Sequence, residues 1–512
     1  MTRTNCNVAD YLLEGKPDER IALRLLGEER TYGDLRHAAQ TFADYLNALG
    51  CRKGDRILLV AENSFFWVAA YLGMLRAGMV CVPLPTTISP EDLTHVFAVT
   101  ESRAIAAQAR FALKHASLFQ ARHLITDQAI KAQSLPSLLS NAIFPEIAST
   151  AVSAPSSGVA VDANDLAALM FTSGSTGKPR GVMVSHRNIA ANTESIISYL
   201  NLTETDRIMT VLPFHYCFGA SLLQTHLRVG GSLVVDSRFM YPEAVLQRML
   251  ETECTGFAGV PSHFQILLRN SSMGKMAFPK LRYVQQAGGH LAPVFIQELR
   301  QTLPNTQIFI MYGQTEATAR LSYLPPKFLD RKPKSIGKGI PGVELSVIDD
   351  AGKNVHPGEL GEIVAEGENV ALGYWHEPAE TASTFRNGKL HTGDLATIDD
   401  DGFIYVIDRA RDFLKCGGKR IGCQQVEDQL KEFECLLDAA VLGTPDEVLG
   451  EAIEAFLVAR MPDCPAFEEC FRAFCKRQMP SQLIPSKFAI LPSLPKNNYG
   501  KVLKQKLRTS ER

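Results

Sequence analysis

The strongest chemical pattern in the chain is Thr172-Ser173-Gly174-Ser175-Thr176-Gly177-Lys178-Pro179-Arg180-Gly181. Glycines let a backbone curl until successive N–H groups point inward, the hydroxyls add donors, and Lys178 adds positive charge. Together these suit a polyphosphate. The apolar run Leu166 to Phe171 precedes the segment and Val182 to Ser185 follows it, so the loop is expected between two strands. It is not a Walker loop, because Pro179 follows the Gly-Lys pair and no Ser- or Thr-led helix starts there. A flexible Ser/Gly surface loop is the competing reading. The Thr, Lys, Pro and Gly at fixed places after a buried strand favour phosphate binding.

Further short motifs follow in order. They are Gln286-Ala287-Gly288-Gly289-His290-Leu291, Met311-Tyr312-Gly313-Gln314-Thr315-Glu316-Ala317, His391-Thr392-Gly393-Asp394-Leu395, Asp408-Arg409-Ala410-Arg411-Asp412 and Leu494-Pro495-Lys496-Asn497-Asn498-Tyr499-Gly500-Lys501-Val502. Taken singly, each reads as an ordinary turn or strand end. Taken in this order, with the Thr172–Gly181 loop, they resemble the adenylate-forming superfamily. That family includes acyl- and aryl-CoA synthetases, nonribosomal peptide adenylation domains and firefly luciferase. The resemblance covers nearly the whole chain and is closest to AMP-forming acyl-CoA synthetases.

The resemblance implies roles. Thr172, Ser173, Gly174, Ser175, Thr176, Gly177 and Lys178 would hold the phosphates of ATP. Gly288 and Gly289 would wall the adenine and acyl sites, since backbone without side chains approaches a flat base closely. Tyr312 would stack on adenine, with Gly313 beside it. Thr315 would bond the α-phosphate, and Glu316 would hold Mg²⁺, which prefers carboxylate and phosphate oxygens. Asp394 would accept two hydrogen bonds from the ribose diol, and Arg409 would touch ribose or phosphate. Lys501 would bridge the attacking carboxylate and the α-phosphate, neutralising charge as it develops. Three departures stand out: Asp408 where glycine is usual, Arg411 at the hinge where Asp or Lys is usual, and Tyr499 where a small hydroxyl residue is usual.

The acid and the thiol follow from the same comparison. Pro213-Phe214-His215-Tyr216-Cys217-Phe218-Gly219 would begin the acyl pocket, with His215 beside the reacting carboxylate; a satisfied core histidine is the other reading. Amino-acid-activating relatives place an Asp here to pair the substrate ammonium, and a buried unpaired cation costs several kcal/mol. No acidic residue occurs between Pro213 and Gly231, so a fatty or aromatic acid is expected. The small, apolar Gly256 to Phe264 segment agrees and does not separate a long chain from a ring. The acceptor is expected to be CoA, with the phosphopantetheine of an acyl or peptidyl carrier protein as the alternative. A luciferase-like oxidative ligase and a non-catalytic nucleotide binder are the remaining readings. The retained Lys178, Glu316, Asp394, Arg409 and Lys501 argue against the latter.

The elements that must position these residues are legible from periodicity. A helix run opens at Thr31 and reaches Leu49; Ile57 to Val60 reads as a buried strand, Ser64 to Arg76 as a helix, and Met79 to Val82 as a strand ending before Pro83. Strand candidates continue at Arg207–Leu212, Ser232–Val235, Arg282–Gln286 and Gln307–Met311. Alternation of this kind predicts parallel α/β sheets. Short alternating strands between Gly, Asp and Asn turns, from Gly337 to Ile407, predict a small β-barrel or antiparallel sheet. The Ala/Ser/Pro-rich stretch from Ala148 to Ala163 reads as an exposed connection. The expected fold is therefore α/β: residues 1–409 form a large domain of parallel-rich subdomains plus a barrel-like one. Residues 410–512 form a small, mobile α+β domain.

The chain has 512 residues and a formal net charge of −2, which gives no reason to expect nucleic acid. No stretch is long and apolar enough to read as a membrane span, and no signal peptide is apparent at the start. The eleven cysteines are scattered, without zinc spacing, as in a reduced cytoplasmic protein.

Overall fold

A computed structural model describes residues 7–119, 123–129, 141–144, 159–173, 178–409, 413–416, 419–446, 449–460, 466–496 and 502–509. Gly174, Ser175, Thr176, Gly177, Arg411 and Lys501 lie outside the described residues, as does most of the Ala148–Ala163 connection.

Two large sheets carry the first three hundred or so residues. The seven-stranded sheet runs, in spatial order, Asn141–Ile143, His123–Thr126, Ala104–Ala107, Arg56–Val60, Val80–Pro83, Leu166–Ser173 and Pro179–Ser185. All neighbours are parallel except the last pair, an antiparallel hairpin. The nine-stranded sheet has a parallel centre: Gln307–Tyr312, Tyr283–Gln286, Gly256–Gly259, Arg207–Thr210, Ser232–Val235 and Ile21–Arg24. Antiparallel strands close both of its edges.

The helices Tyr32–Ala48, Phe65–Arg76, His186–Leu200 and Cys217–Val229 join strands of both sheets in one core. Phe65–Arg76 is apolar all round and ten of its residues are buried, as expected of a helix packed on every side. Ser64 is its N-cap, accepting from the Trp67 amide at 3.2 Å, so the expected helix begins one residue later than its first polar signal. Pro83 is the last residue of its strand rather than the first residue beyond it. It pairs with Leu59, and the next donor to the ladder is the Leu84 amide, so the missing N–H costs no bond.

The third sheet is the antiparallel one expected from the turn-rich texture. Val343–Ile348, Gly361–Gly367 and Lys389–Ile398 pair in order, and Phe385–Arg386 and Ile404–Arg409 both pair with Lys389–Ile398. The fourth sheet, Lys419–Gly422, Phe413–Cys416, Gly450–Ala459, Leu436–Asp446 and Lys487–Ile490, has its own core under the helices Cys423–Lys431 and Phe467–Gln478. Among the described residues, no helix is long and apolar enough to cross a membrane.

Candidate active site

Three pieces of chain far apart in sequence meet at one cleft. The first is the hairpin of the seven-stranded sheet. Its register pairs Thr172 with Arg180 and Ser173 with Pro179, which brings the two described ends of the phosphate-type segment side by side, and Lys178 is exposed. Arg180 at its base is ion-paired to Glu380 at 2.9 Å. The second piece is the end of the strand Gln307–Tyr312. In a parallel sheet the ligand crevice lies beyond the strands' carboxyl ends, and Tyr312 to Glu316 occupy that position. The third is the strand Lys389–Ile398 of the antiparallel sheet, which presents Asp394 opposite Arg409.

Specific bonds tie the pieces together. The Tyr312 hydroxyl donates to the Asp394 carboxylate at 2.6 Å, coupling the expected adenine and ribose residues across 82 positions of sequence. The Tyr374 hydroxyl donates to Glu316 Oε1 at 2.9 Å. Tyr374 in turn bridges to Val182 on the hairpin, and the Met183 and Trp375 amides bond Gly373 and Gly181 carbonyls at 2.9 and 2.8 Å. Burial, and then the neighbouring Glu316 charge, raise the Tyr374 phenol above its usual range, so it stays a donor. Sequence reasoning did not single out Tyr374. The signal was the run Leu372-Gly373-Tyr374-Trp375 shortly after a strand.

Two glycines are required by close approach. A Cβ on Gly313 would lie 2.0 Å from the Ala319 carbonyl oxygen, so the chain folds back on itself there only without a side chain. Gly288 has φ +83°, and a Cβ on it would lie 2.8 Å from the Tyr216 hydroxyl. Gly289 is exposed beside it, its carbonyl accepting from the Gln286 side-chain Nε2 at 2.8 Å. This bare turn faces Tyr216 and Val260, both from the stretches expected to line the acyl pocket.

The helix Cys217–Val229 begins at the same place. Cys217 Sγ lies 3.6 Å from Thr315 Oγ1. Burial pushes His215 down to about 4, so the ring is neutral at physiological pH and can accept or donate without adding charge. Burial pushes His263 to about 3, and the nearby Lys496 adds to that effect. Lys496 belongs to the C-terminal part and is ion-paired to Asp438 at 2.7 Å, so the C-terminal part reaches the acyl side of the cleft. A groove of about 1340 Å³ lies elsewhere. It is lined by Asn7, Asp10, Arg36, Arg76, His186 and Glu194 among others, and by none of the site residues.

Tyr312, Gly313, Thr315, Glu316, Asp394, Gly288, Gly289 and His215 are thus placed around one cleft with the base of the Thr172–Lys178 hairpin. Residues 12–375 match the AMP-binding enzyme family, and residues 425–501 match the AMP-binding enzyme C-terminal domain.

This chain belongs to the AMP-binding enzyme family.

Among its relatives in that family is the long-chain-fatty-acid–CoA ligase of Salmonella typhimurium, 29% identical over 95% of this chain and 91% of that protein. Another is the feruloyl-CoA synthase of an Amycolatopsis species, 30% identical over 95% of each chain. The o-succinylbenzoate CoA synthetase of Bacillus subtilis, solved with its acyl-adenylate intermediate, superposes with a TM-score of 0.83. It is 28% identical and covers 99% of this chain and 98% of its own.

Proposed function

We propose that this AMP-binding family member is an ATP-dependent, AMP-forming ligase that joins a carboxylic acid to a thiol, with CoA as the acceptor. The observation that carries the reading is the meeting of the Tyr312–Asp394 pair, Thr315 and Glu316 with the strands of the phosphate-type hairpin on one side and the start of the helix Cys217–Val229 on the other. In the first half-reaction a carboxylate oxygen attacks the α-phosphorus of ATP. The bond to the β-phosphate oxygen breaks, pyrophosphate leaves, and an acyl-adenylate remains. In the second, a thiol attacks the acyl carbon and AMP leaves.

The residues divide that work. Asp394, held by Tyr312, accepts from the ribose hydroxyls, and Arg409 sits opposite it in the ladder. Thr315 donates to the α-phosphate, and the hydroxyls, amides and Lys178 of the Thr172–Lys178 segment bind the β- and γ-phosphates. Glu316 offers a carboxylate oxygen to Mg²⁺. Phosphate oxygens of ATP would supply further ligands, as Mg²⁺ commonly takes one or two carboxylates plus substrate phosphates. When bound, Mg²⁺ supplies positive charge against the phosphates. His215, neutral in its enclosure, borders the acid's carboxylate. Lys501 neutralises charge at the reacting centre.

The chain is read as two domains, 1–409 and 410–512; a strand that ends at Arg409 and another that begins at Phe413 support that division. Residues 1–409 hold ATP and acid, and residues 410–512 carry Lys501 and swing about Arg411 to admit the thiol. The relatives above are CoA ligases, which favours CoA over a carrier protein. A cytoplasmic setting suits the nine described cysteines, which stand as thiols.

The test is pyrophosphate and AMP release from MgATP over a broad acid panel, with CoA and with a phosphopantetheinylated carrier. Lys501→Ala is expected to abolish acid-dependent AMP formation while retaining ATP binding. Asp394→Ala is expected to weaken ATP binding by about 1.5–3 kcal/mol, the range for hydrogen bonds to a charged group. Wild-type exchange in the first variant, or unchanged ATP affinity in the second, removes that residue from its role.

A further inference from the structure

Lys496 and Val502 flank the segment that carries Lys501, and they form an antiparallel bridge. The Leu503 amide donates to the Pro495 carbonyl at 2.7 Å, a second rung on the same base. Beyond the base, Leu494 and Leu507 are buried with Ala440, Leu442, Phe456 and Val458. Along the two strands these four alternate with Ala439, Val441, Ala455 and Leu457, which face the separate core under the helices. Charge then fixes the base from two directions. Lys496 Nζ lies 2.7 Å from Asp438 Oδ2, on the strand Leu436–Asp446. Lys504 Nζ lies 2.9 Å from Glu427 Oε1, on the helix Cys423–Lys431. Both flanks of the Lys501 segment are thus tied to the body of the C-terminal part.

Asp438 is the hub of this arrangement. Its side chain is only 11% exposed. Oδ1 accepts from the Ala439 amide at 3.0 Å and lies 3.6 Å from Nζ of the buried Lys431. Gln265 of the large part donates to the same oxygen at 3.5 Å. Burial pushes this carboxyl up, but the charges of Lys431 and Lys496 outweigh it and hold Asp438 below the usual carboxylate range, so it is ionised at neutral pH. The two lysines differ in what else they have. Glu427 and Asp428 also act on Lys431. Among the described residues, Asp438 is the one carboxylate ion-paired to Lys496. Gln265 lies on the helix Pro261–Arg269, and the Lys496 charge reaches His263 on the same helix. The hub therefore lies against the acyl side of the cleft.

We propose that Asp438 is a positioning residue for acid activation: by holding Lys496 at the base of the Lys501 segment, it sets the reach of Lys501 while the C-terminal part is docked on the helix Pro261–Arg269. This rests on the ligase reading above, with Lys501 in its role there, and deepens it. Asp438 acts through Lys496 and not on the reacting atoms. Lys501 directly precedes Val502, the residue bridged to Lys496, so a shift of Lys496 passes to it through one rung of backbone. Asp438, Lys431 and Lys496 all belong to the C-terminal part, so the pin travels with that part when it swings, and Gln265 is left behind. In the thiol step Lys501 has moved away from the reacting centre, and the pin has nothing to position there.

The experiment uses the purified full chain in two assays. Acid-dependent pyrophosphate exchange with MgATP reports the first half-reaction, and thioester formation from the synthetic acyl-adenylate and CoA reports the second. Dodecanoate and cinnamate represent the two expected acid classes, and any acid of the panel above that releases more AMP replaces them. In Asp438→Asn the exchange kcat is expected to fall about 10- to 100-fold, with the KM for ATP and the thioester rate within about 3-fold of wild type, because a misplacement of about 1 Å is felt at the reacting centre of the first step alone. Lys496→Gln is expected to show the same split, and the double variant to be no worse than either single one, as for two residues acting as a unit. Asp438→Glu is expected to recover part of the exchange. Unchanged exchange in Asp438→Asn, equal losses in both assays, or losses that multiply in the double variant would overturn the inference and leave the ligase reading standing. Neither exchange nor AMP from the wild-type chain with any acid would remove both. Should Asp438→Asn fail to fold, Lys496→Gln, at the more exposed end of the pair, decides by the same split.

Discussion

Replacing Arg269 by leucine probes how the C-terminal part is held against the large one. Arg269 ends the helix Pro261–Arg269, is buried, and donates from Nη1 to the Leu436 carbonyl at 2.6 Å and the Lys431 carbonyl at 3.2 Å. Its other side pairs with Glu298, and its guanidinium covers the Phe295 ring at 4.3 Å. Leucine keeps the contact with Phe295 and removes every donor. Glu298 is 28% exposed and can rehydrate, so the loss falls mainly on the docked arrangement, where two carbonyls lose their partner. One short and one long hydrogen bond from a charged donor amount to about 3 kcal/mol. That raises the undocked fraction by about 100-fold. Among the described residues, side-chain hydrogen bonds from His290 to Asp428 at 2.9 Å and from Gln265 to Asp438 at 3.5 Å also tie the two parts. A two-dye distance measurement across the junction should show a new, longer population in Arg269→Leu, with the melting temperature of the large part within a few degrees of wild type. An unchanged distance distribution would refute the idea that Arg269 fastens this pose.

Acid should loosen the fold through buried neutral histidines. His186 accepts the Val8 amide through Nδ1 at 3.0 Å, and His226 bonds the Leu222 carbonyl and the Tyr283 hydroxyl, both at 2.9 Å. Burial lowers each from 6.5 to about 4. Below pH 6.5 the unfolded chain takes protons that the folded chain refuses until about pH 4, so stability falls through that window and is unaffected above it. The slope is worth up to about 3 kcal/mol per histidine. Urea melts from neutrality to about pH 4.5 should show the decline, and His186→Gln should flatten it; equal slopes would exclude His186. Gly313→Ala should push the Tyr312–Thr315 turn off the Ala319 carbonyl and lower kcat/KM by about 100-fold with the circular dichroism spectrum retained, since misplacement of about 1 Å costs that much. Wild-type kinetics would show that the turn relaxes without disturbing the site.

Much of the architecture could be read from local pattern, because a buried strand or helix imposes its period on adjacent residues. Ile57 to Val60, Ser232 to Val235 and the helix from Thr31 appear within a residue or two of expectation. Ile21–Arg24 was not legible as a strand. Its pairing with Ser232–Val235 spans some two hundred residues, and nothing local requires it. The Tyr374–Glu316 contact escaped for a similar reason: both residues look like solvent-facing turn residues until the hairpin and the antiparallel sheet are placed side by side.

The order of motifs and the absence of an acid between Pro213 and Gly231 belong to the sequence alone, because residue types and spacing specify which backbone can curl round a phosphate and which charges are available. Only the tertiary structure decided how those charges are spent. Arg269 and Arg320 are the same residue type, and nothing local to either tells which partners it will find. Folding gives one a carboxylate and two carbonyls and leaves the other against an aromatic ring beside the acyl cleft. The physical reason is that the energy of a buried charge depends on its neighbours within a few ångströms, and those neighbours come from helices and strands that sequence distance does not rank.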